Sequence, residues 1–189
     1  MPHTSHWNEL RELLLERSLS YGDFVLSSGK KSSYYFDSKI TTLHPRGIYL
    51  ASRAILDIVR REGIQADAIG GLTLGADPLA AGCALVSHLE GPYPLQGFIV
   101  RKESKGHGSM KLIEGLRVTD PIHRVIIVED VCTTGASSLK AIEAAEAYPL
   151  AVCAVISLVD REDGGSSRIR LKYPFYSVFR RSDLFSQPE

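Results

Sequence analysis

Cysteine is scarce and unpatterned in this sequence. Only Cys83, Cys132 and Cys153 occur, an odd number without Cys-x-x-Cys spacing. That argues against a disulfide framework or a zinc site and predicts reduced structural thiols in a cytoplasmic protein. Net charge is missing as well: 22 Lys and Arg stand against 22 Asp and Glu. Proteins of nucleic acid or membrane surfaces draw affinity from a basic excess. Neither partner is expected here, and any anion site must be a local concentration of positive charge. No window approaches about 18 uninterrupted apolar residues, so no membrane-spanning helix is expected. The first stretch, MPHTSHWNELRELLLERS, lacks the basic start, apolar run and small-residue cleavage site of a secretory signal. Repeats, low-complexity tracts and linkers are absent too, which predicts a single domain over residues 1–189.

What is present is an ordinary composition, 44% hydrophobic and 23% charged, arranged in two periods. Ser5 to about Arg17 reads as an amphipathic helix with Trp7, Leu10, Leu14 and Leu15 near helical spacing. YGDFVLSSGKKSSYYFD is rich in β-formers around a Ser-Ser-Gly-Lys-Lys turn and predicts a hairpin. A second helical pattern runs from Pro45 to Arg61 through Ile48, Leu50, Ile55, Ile58 and Val59. Strand and helix then alternate: ADAIGG, a helix over Pro78 to Leu89, LQGFIV, HRVIIV, a helix over Ser137 to Ala147, AVCAVISLV and FYSVF. Apolar strands separated by helices imply a parallel sheet with right-handed crossovers. The expected fold is α/β and doubly wound, a mostly parallel sheet flanked by helices. About residues 1–44 form a small N-terminal cap. Ligands of such sheets bind at the carboxyl ends of the strands.

One such end carries the most chemistry: Val125-Ile-Ile-Val-Glu-Asp-Val-Cys-Thr-Thr-Gly-Ala-Ser-Ser-Leu. An apolar strand runs into Glu129 and Asp130, and a loop of Thr133, Thr134, Gly135, Ala136 and Ser137 opens a helix. Amides at a helix N-terminus, with hydroxyls beside them, suit a phosphate, and Gly135 allows close backbone approach. The two acids can accept hydrogen bonds from sugar hydroxyls, or stand near a Mg²⁺ that the ligand brings. A sugar held by its diol and its phosphate is a ribose 5-phosphate. The plainer reading is a capped helix with acids favouring its dipole.

A basic loop lies between two of the strands: Arg101-Lys-Glu-Ser-Lys-Gly-His-Gly-Ser-Met-Lys. Arg101, Lys102, Lys105, His107 and Lys111 crowd together there, and Gly106 and Gly108 remove helix or strand preference. Such a loop suits a lid over a polyanion such as a departing pyrophosphate, although a solvated loop without a role has the same composition.

Together these segments resemble the type I phosphoribosyltransferases, and Arg-Lys-Glu-x-Lys-x-His-Gly narrows the likeness to the orotate phosphoribosyltransferase branch. The resemblance runs from Tyr21 to the terminal Arg-Ser-Asp-Leu. It implies Mg²⁺-dependent transfer of ribose 5-phosphate from phosphoribosyl pyrophosphate to orotate, giving orotidine 5′-monophosphate in pyrimidine biosynthesis. It implies a homodimer with active sites shared between subunits. Arg101, Lys105 and His107 would contact pyrophosphate from the neighbouring subunit, with Lys105 most important for rate, and Lys102 from its own. Glu129, Asp130 and Thr133 to Ser137 would hold the sugar phosphate, with Mg²⁺ held mainly by the substrate near the two acids. Tyr35 and Phe36, in Ser27 to Asp37, would cover the orotate ring; two aromatics in a half-buried strand look the same. Thr133 would also face orotate, and Arg161, in Ser-Leu-Val-Asp-Arg-Glu-Asp-Gly-Gly, would take its carboxylate; alone, Arg161 reads as an exposed loop charge.

Two departures stand out. Many relatives carry Lys at the place of Ser27, and some carry Tyr-Lys where this chain has Leu74 and Gly75, within Gly-Gly-Leu-Thr-Leu-Gly-Ala-Asp-Pro. Amides of Gly71 to Gly75 could still bind an anion. A phosphoribosyltransferase for another base is disfavoured by the loop pattern and Arg161. A ligand-sensing regulator would have lost the lid chemistry and gained a basic surface. At 189 residues no fused decarboxylase is expected.

Overall fold

Helix α1 (Ser5–Ser18) turns Trp7, Leu10 and Leu14 inward at spacings of three and four residues, and all three are buried. Leu15, on the flank of that stripe, is only partly buried. Complete burial of a leucine contributes roughly 1.5–3 kcal/mol, so α1 is fastened to the body of the domain. The computed structural model in which this is seen describes residues 5–25, 31–103, 112–117 and 119–184.

Strands β1 (Leu19–Val25) and β2 (Lys31–Phe36) pair antiparallel, with Leu19 opposite Phe36, as a sheet of their own. Most of the expected turn lies outside the described residues. A one-turn helix α2 (Lys39–Thr42) follows, then α3 (Pro45–Arg61). Pro45 starts α3 where no intrahelical N–H is required, and Leu50, Ala51, Ala54, Ile55 and Ile58 face inward.

The main sheet is built from β3 (Ala68–Leu72), β4 (Gln96–Val100), β5 (Ile113–Glu114), β6 (Arg124–Cys132), β7 (Ala151–Asp160) and β8 (Phe175–Arg180). Helix α4 (Ala76–Glu90) joins β3 to β4, α5 (Ala136–Ala147) joins β6 to β7, and the short α6 (Gly165–Arg170) precedes β8; α7 (Arg181–Leu184) follows it. The order is β5-β4-β3-β6-β7-β8, parallel throughout except for β5. Both faces are covered. Ile126 and Val128 of β6 enter the core under α1, α3 and α4, while Val125 and Ile127 enter the core under α5 and α6. That alternation is why β6 reads as a continuous apolar run.

The structure corrects several sequence boundaries. β6 continues past the acid pair to Cys132, because Val131 and Cys132 pair with Val159 and Asp160 of β7. Helix α5 begins at Ala136, one residue before the expected start, and α4 begins at Ala76. Helices α2, α6 and α7 and strand β5 were not foreseen, being too short to display a period. Among the described residues no helix is long and apolar enough to cross a membrane.

The connections decide where a ligand can sit. From β3 the chain winds one way to β4, and it then returns past β3 to place β6 on the other side. β3 and β6 are thus neighbours whose crossovers diverge, and a crevice opens beyond their carboxyl ends. Residues 72–75 and 129–135 border it.

Candidate active site

At the end of β3 the chain turns through Thr73 and Leu74, joined by a cis peptide, into α4. Thr73 Oγ1 donates to Asp77 Oδ2 at 2.7 Å and fixes this turn to the helix. Gly75 caps α4 without a side-chain hydrogen bond. Asp77 N donates to Leu74 O at 3.2 Å and Pro78 has no N–H, so Ala76 N is the amide of the first turn left to other partners. Beside this turn lies a cavity of about 280 Å³. Its walls are Leu72 to Gly75, Glu129 and Asp130 of β6, Ser137 and Ser138 of α5, Lys39 of α2, and Lys102.

Each acid has its own support. Glu129 is only 8% exposed, and burial pushes its carboxyl up to about 7 against the opposing hydrogen bond that Ser138 Oγ donates to Oε2. The charge of Asp130 raises it further. Asp130 receives Ser38 Oγ on Oδ2 at 2.6 Å. Its carboxylate lies over Gly75, where a Cβ would stand 2.2 Å from Oδ1. Any side chain at position 75 therefore requires the Asp130 carboxylate to move.

The raised Glu129 has a stability consequence. In the native state it holds its proton from its ordinary value near 4.5 up to about 7, while the unfolded chain has already released it. Native stability therefore falls as pH rises through that window. Glu129→Gln, which cannot ionise, should gain in Tm relative to wild type between pH 5 and pH 8, by the equivalent of roughly 1–3 kcal/mol. Calorimetry at the two pH values checks this, and a pH-independent difference would remove Glu129 as the source.

The hydroxyl loop is braced from behind. Gly135 adopts φ 74° at the cap of α5, a left-handed conformation that glycine takes without strain. Gly165 presses against it: a Cβ there would lie 2.5 Å from Gly135 N and 2.6 Å from Thr133 O. Gly165 N donates to Thr133 O at 3.0 Å, and Arg161 N to Cys132 O at 2.9 Å. The α5 cap also lacks a side-chain hydrogen bond, which leaves its amides open to a phosphate. Ala136 and Thr134 are exposed and Thr133 and Ser137 half-buried; of these, Ser137 reaches the cavity wall, and the two threonines stand outside it.

The basic segment is described only at its root. Lys102 lines the cavity, and its carbonyl accepts from Lys140 Nζ at 2.5 Å. Arg101 instead leans back on β5, with Nη1 3.4 Å from Glu114 Oε1 and Nε donating to Glu103 O at 3.2 Å. Lys105, His107 and Ser27 lie outside the described residues.

On the hairpin, alternation sorts the aromatics. Tyr35 is 46% exposed, its ring 5.5 Å from that of Phe24. Phe36 is half-buried against the main core. The neighbour of Arg161 is Tyr34, which the sequence reading did not single out: Nη2 comes within 3.5 Å of Tyr34 Oη, and the guanidinium lies 6.0 Å from the ring centre. Period-two alternation from Phe36 could have found it. Arg161 Nε is also 3.5 Å from Asp163. Ser38 and Lys39 are further site-building residues outside every quoted motif, while Ser138 and Gly165 stand inside quoted motifs without having been singled out.

No family model matches the chain. Whole proteins do. It is 47% identical over 180 residues, 93% of this chain and 96% of the relative, to the orotate phosphoribosyltransferase of Aquifex aeolicus. The chain belongs to the orotate phosphoribosyltransferase family. It is therefore a phosphoribosyltransferase of pyrimidine biosynthesis. Solved structures agree in sequence and in shape. The Mycobacterium tuberculosis orotate phosphoribosyltransferase with Fe(III) dicitrate superposes with a TM-score of 0.82 at 37% identity, covering 95% of this chain and 98% of that one. The same enzyme in complex with 5-phospho-α-D-ribosyl 1-diphosphate gives 0.77 at 35% identity, with the same coverage.

Proposed function

We propose that the crevice between β3 and β6 is where this chain transfers ribose 5-phosphate from phosphoribosyl pyrophosphate to orotate, giving orotidine 5′-monophosphate and pyrophosphate. The observation that carries it is the pairing of two features on one ridge: a clamped acid pair, Glu129 and Asp130, and an uncapped helix start at Gly135 to Ser137. The acids take the ribose hydroxyls and the α5 amides take the 5-phosphate. Thr133, Thr134, Ala136 and Ser137 complete that phosphate loop. The diphosphate falls beside the α4 start and Lys102.

Glu129 and Asp130 also offer oxygen donors suited to Mg²⁺. Among the described residues no group of three or more His, Cys, Asp or Glu is placed to hold a metal, so a Mg²⁺ here fits best as an ion whose remaining ligands are substrate oxygens. When bound it would neutralise charge on the leaving pyrophosphate. The protein's own part is positioning and electrostatics. The base site would lie against the hairpin, with Tyr35, Phe36 and Thr133 around orotate and Arg161 on its carboxylate. Arg101, Lys105 and His107 would reach the pyrophosphate of a partner subunit in a homodimer. Arg101 supports this by turning away from its own cavity. Leu85 and Leu89, one turn apart on α4, support association, being 59% and 70% exposed.

The deciding assay is orotate-dependent release of pyrophosphate from phosphoribosyl pyrophosphate, with and without Mg²⁺, beside uracil, adenine and hypoxanthine. Release with another base and none with orotate would overturn the reading. Arg161→Ala tests the base site separately. The KM for orotate should rise at least roughly tenfold, as for loss of a charged hydrogen bond, while the KM for phosphoribosyl pyrophosphate moves little. Equal changes in both constants would move Arg161 out of the base site.

A further inference from the structure

Resting on the reading of this crevice as a phosphoribosyl pyrophosphate site, we propose that Lys39 is a further substrate-binding residue, which holds the diphosphate of the sugar donor at the open start of α4. The cavity is framed by Glu129 and Asp130, two acids that repel a polyanion. The cations among the described residues of its lining are Lys39 and Lys102. The α4 cap itself supplies no cation, because position 75, where some relatives carry Lys, is glycine in this chain. The charge has to arrive from another element, and α2 delivers it.

Two tethers hold Lys39 there. Its neighbour Ser38, only 1% exposed, donates to Asp130 and so ties α2 to the end of β6. Asp37 Oδ1 accepts both the Lys39 amide at 3.0 Å and the Lys39 Nζ at 2.6 Å. An ammonium has three donors, so this ion pair leaves protons for a ligand. The side chain is 42% exposed, hence accessible. The hydrogen bond with Asp37, reinforced by the charges of Asp37 and Asp130, also raises its pKa, so Lys39 stays protonated at neutral pH.

The test separates the two halves of the donor. Inorganic pyrophosphate and ribose 5-phosphate are each titrated as inhibitors against phosphoribosyl pyrophosphate, for wild type, Lys39→Ala and Lys39→Arg. The inhibition constant of pyrophosphate should rise roughly tenfold or more in Lys39→Ala, that of ribose 5-phosphate should stay within about twofold, and Lys39→Arg should restore most of the loss. The KM for orotate should hardly change. Unchanged pyrophosphate inhibition, or equal weakening of both inhibitors, overturns the assignment; the second result would make Lys39 a support for Asp130. An active wild type with Lys39-independent pyrophosphate binding sinks this proposal alone. Direct calorimetric titration covers a protein inactive with orotate: pyrophosphate binding to wild type that depends on Lys39 then sinks the functional reading alone. A wild type that binds neither compound overturns both.

Discussion

Gly75→Val should yield a folded protein whose kcat/KM for phosphoribosyl pyrophosphate is reduced by roughly a hundredfold. The backbone is not the cause. Gly75 has φ −64° and ψ −34°, which any residue adopts. The cause is steric: a Cβ lies 2.2 Å from Asp130 Oδ1 and 2.4 Å from its Cγ. The carboxylate must swing away, and its bond from Ser38 breaks. A hydrogen bond to a charged group contributes about 1.5–3 kcal/mol, roughly ten- to a hundredfold in rate, before the added bulk at the helix start is counted. Gly97→Ala is the matched control, since its new Cβ meets nothing closer than 3.4 Å; it should keep wild-type kinetics within about twofold. Steady-state kinetics with circular dichroism on both variants checks this. Wild-type rates in Gly75→Val would mean that the Asp130 position is irrelevant to turnover.

The same residues explain what the sequence disclosed and what it withheld. The stretch from Val125 to Leu139 was legible because its signals are local. An apolar run, two acids, small hydroxyl residues and a glycine follow one another, and strand, loop and helix follow in the same order. The limits of α3 were legible for a similar reason, with a proline at one end and a long 3.6-residue period behind it. The supports of the acids were not. Ser38 meets Asp130 across 92 residues, and Gly75 meets it from another strand end; no local pattern encodes either encounter. Lys39 sits in a four-residue helix, too short for periodicity to register. Tyr34 was passed over because the family pattern points to Tyr35 and Phe36 as the cover of the orotate ring, whereas Arg161 meets Tyr34.

Two crippled variants of this chain should restore one another when mixed. Arg101 leans away from the cavity of its own subunit, whereas Lys102 lines it. That division is consistent with the proposal that the basic segment is shared between partner subunits. The pair to mix is Lys105→Ala, which removes the lid lysine, and Asp130→Ala, which removes the sugar acid. Each alone should be nearly inactive, since each subtracts a charged contact from every site. After verified subunit exchange at equal amounts, about half the dimers are mixed under random pairing. If the lid acts on the partner's site, a mixed dimer holds one site with both defects and one with neither. Activity then returns to roughly a quarter of wild type, half the dimers times half the sites. If the lid acts within its own subunit, every site keeps one defect and nothing returns. The result also depends on stoichiometry: a ninefold excess of either variant leaves roughly 18% of the dimers mixed, so recovery should drop to about 9%. Recovery that ignores the mixing ratio would point to exchange of something other than whole subunits, and no recovery after proven exchange would place the lid over its own site.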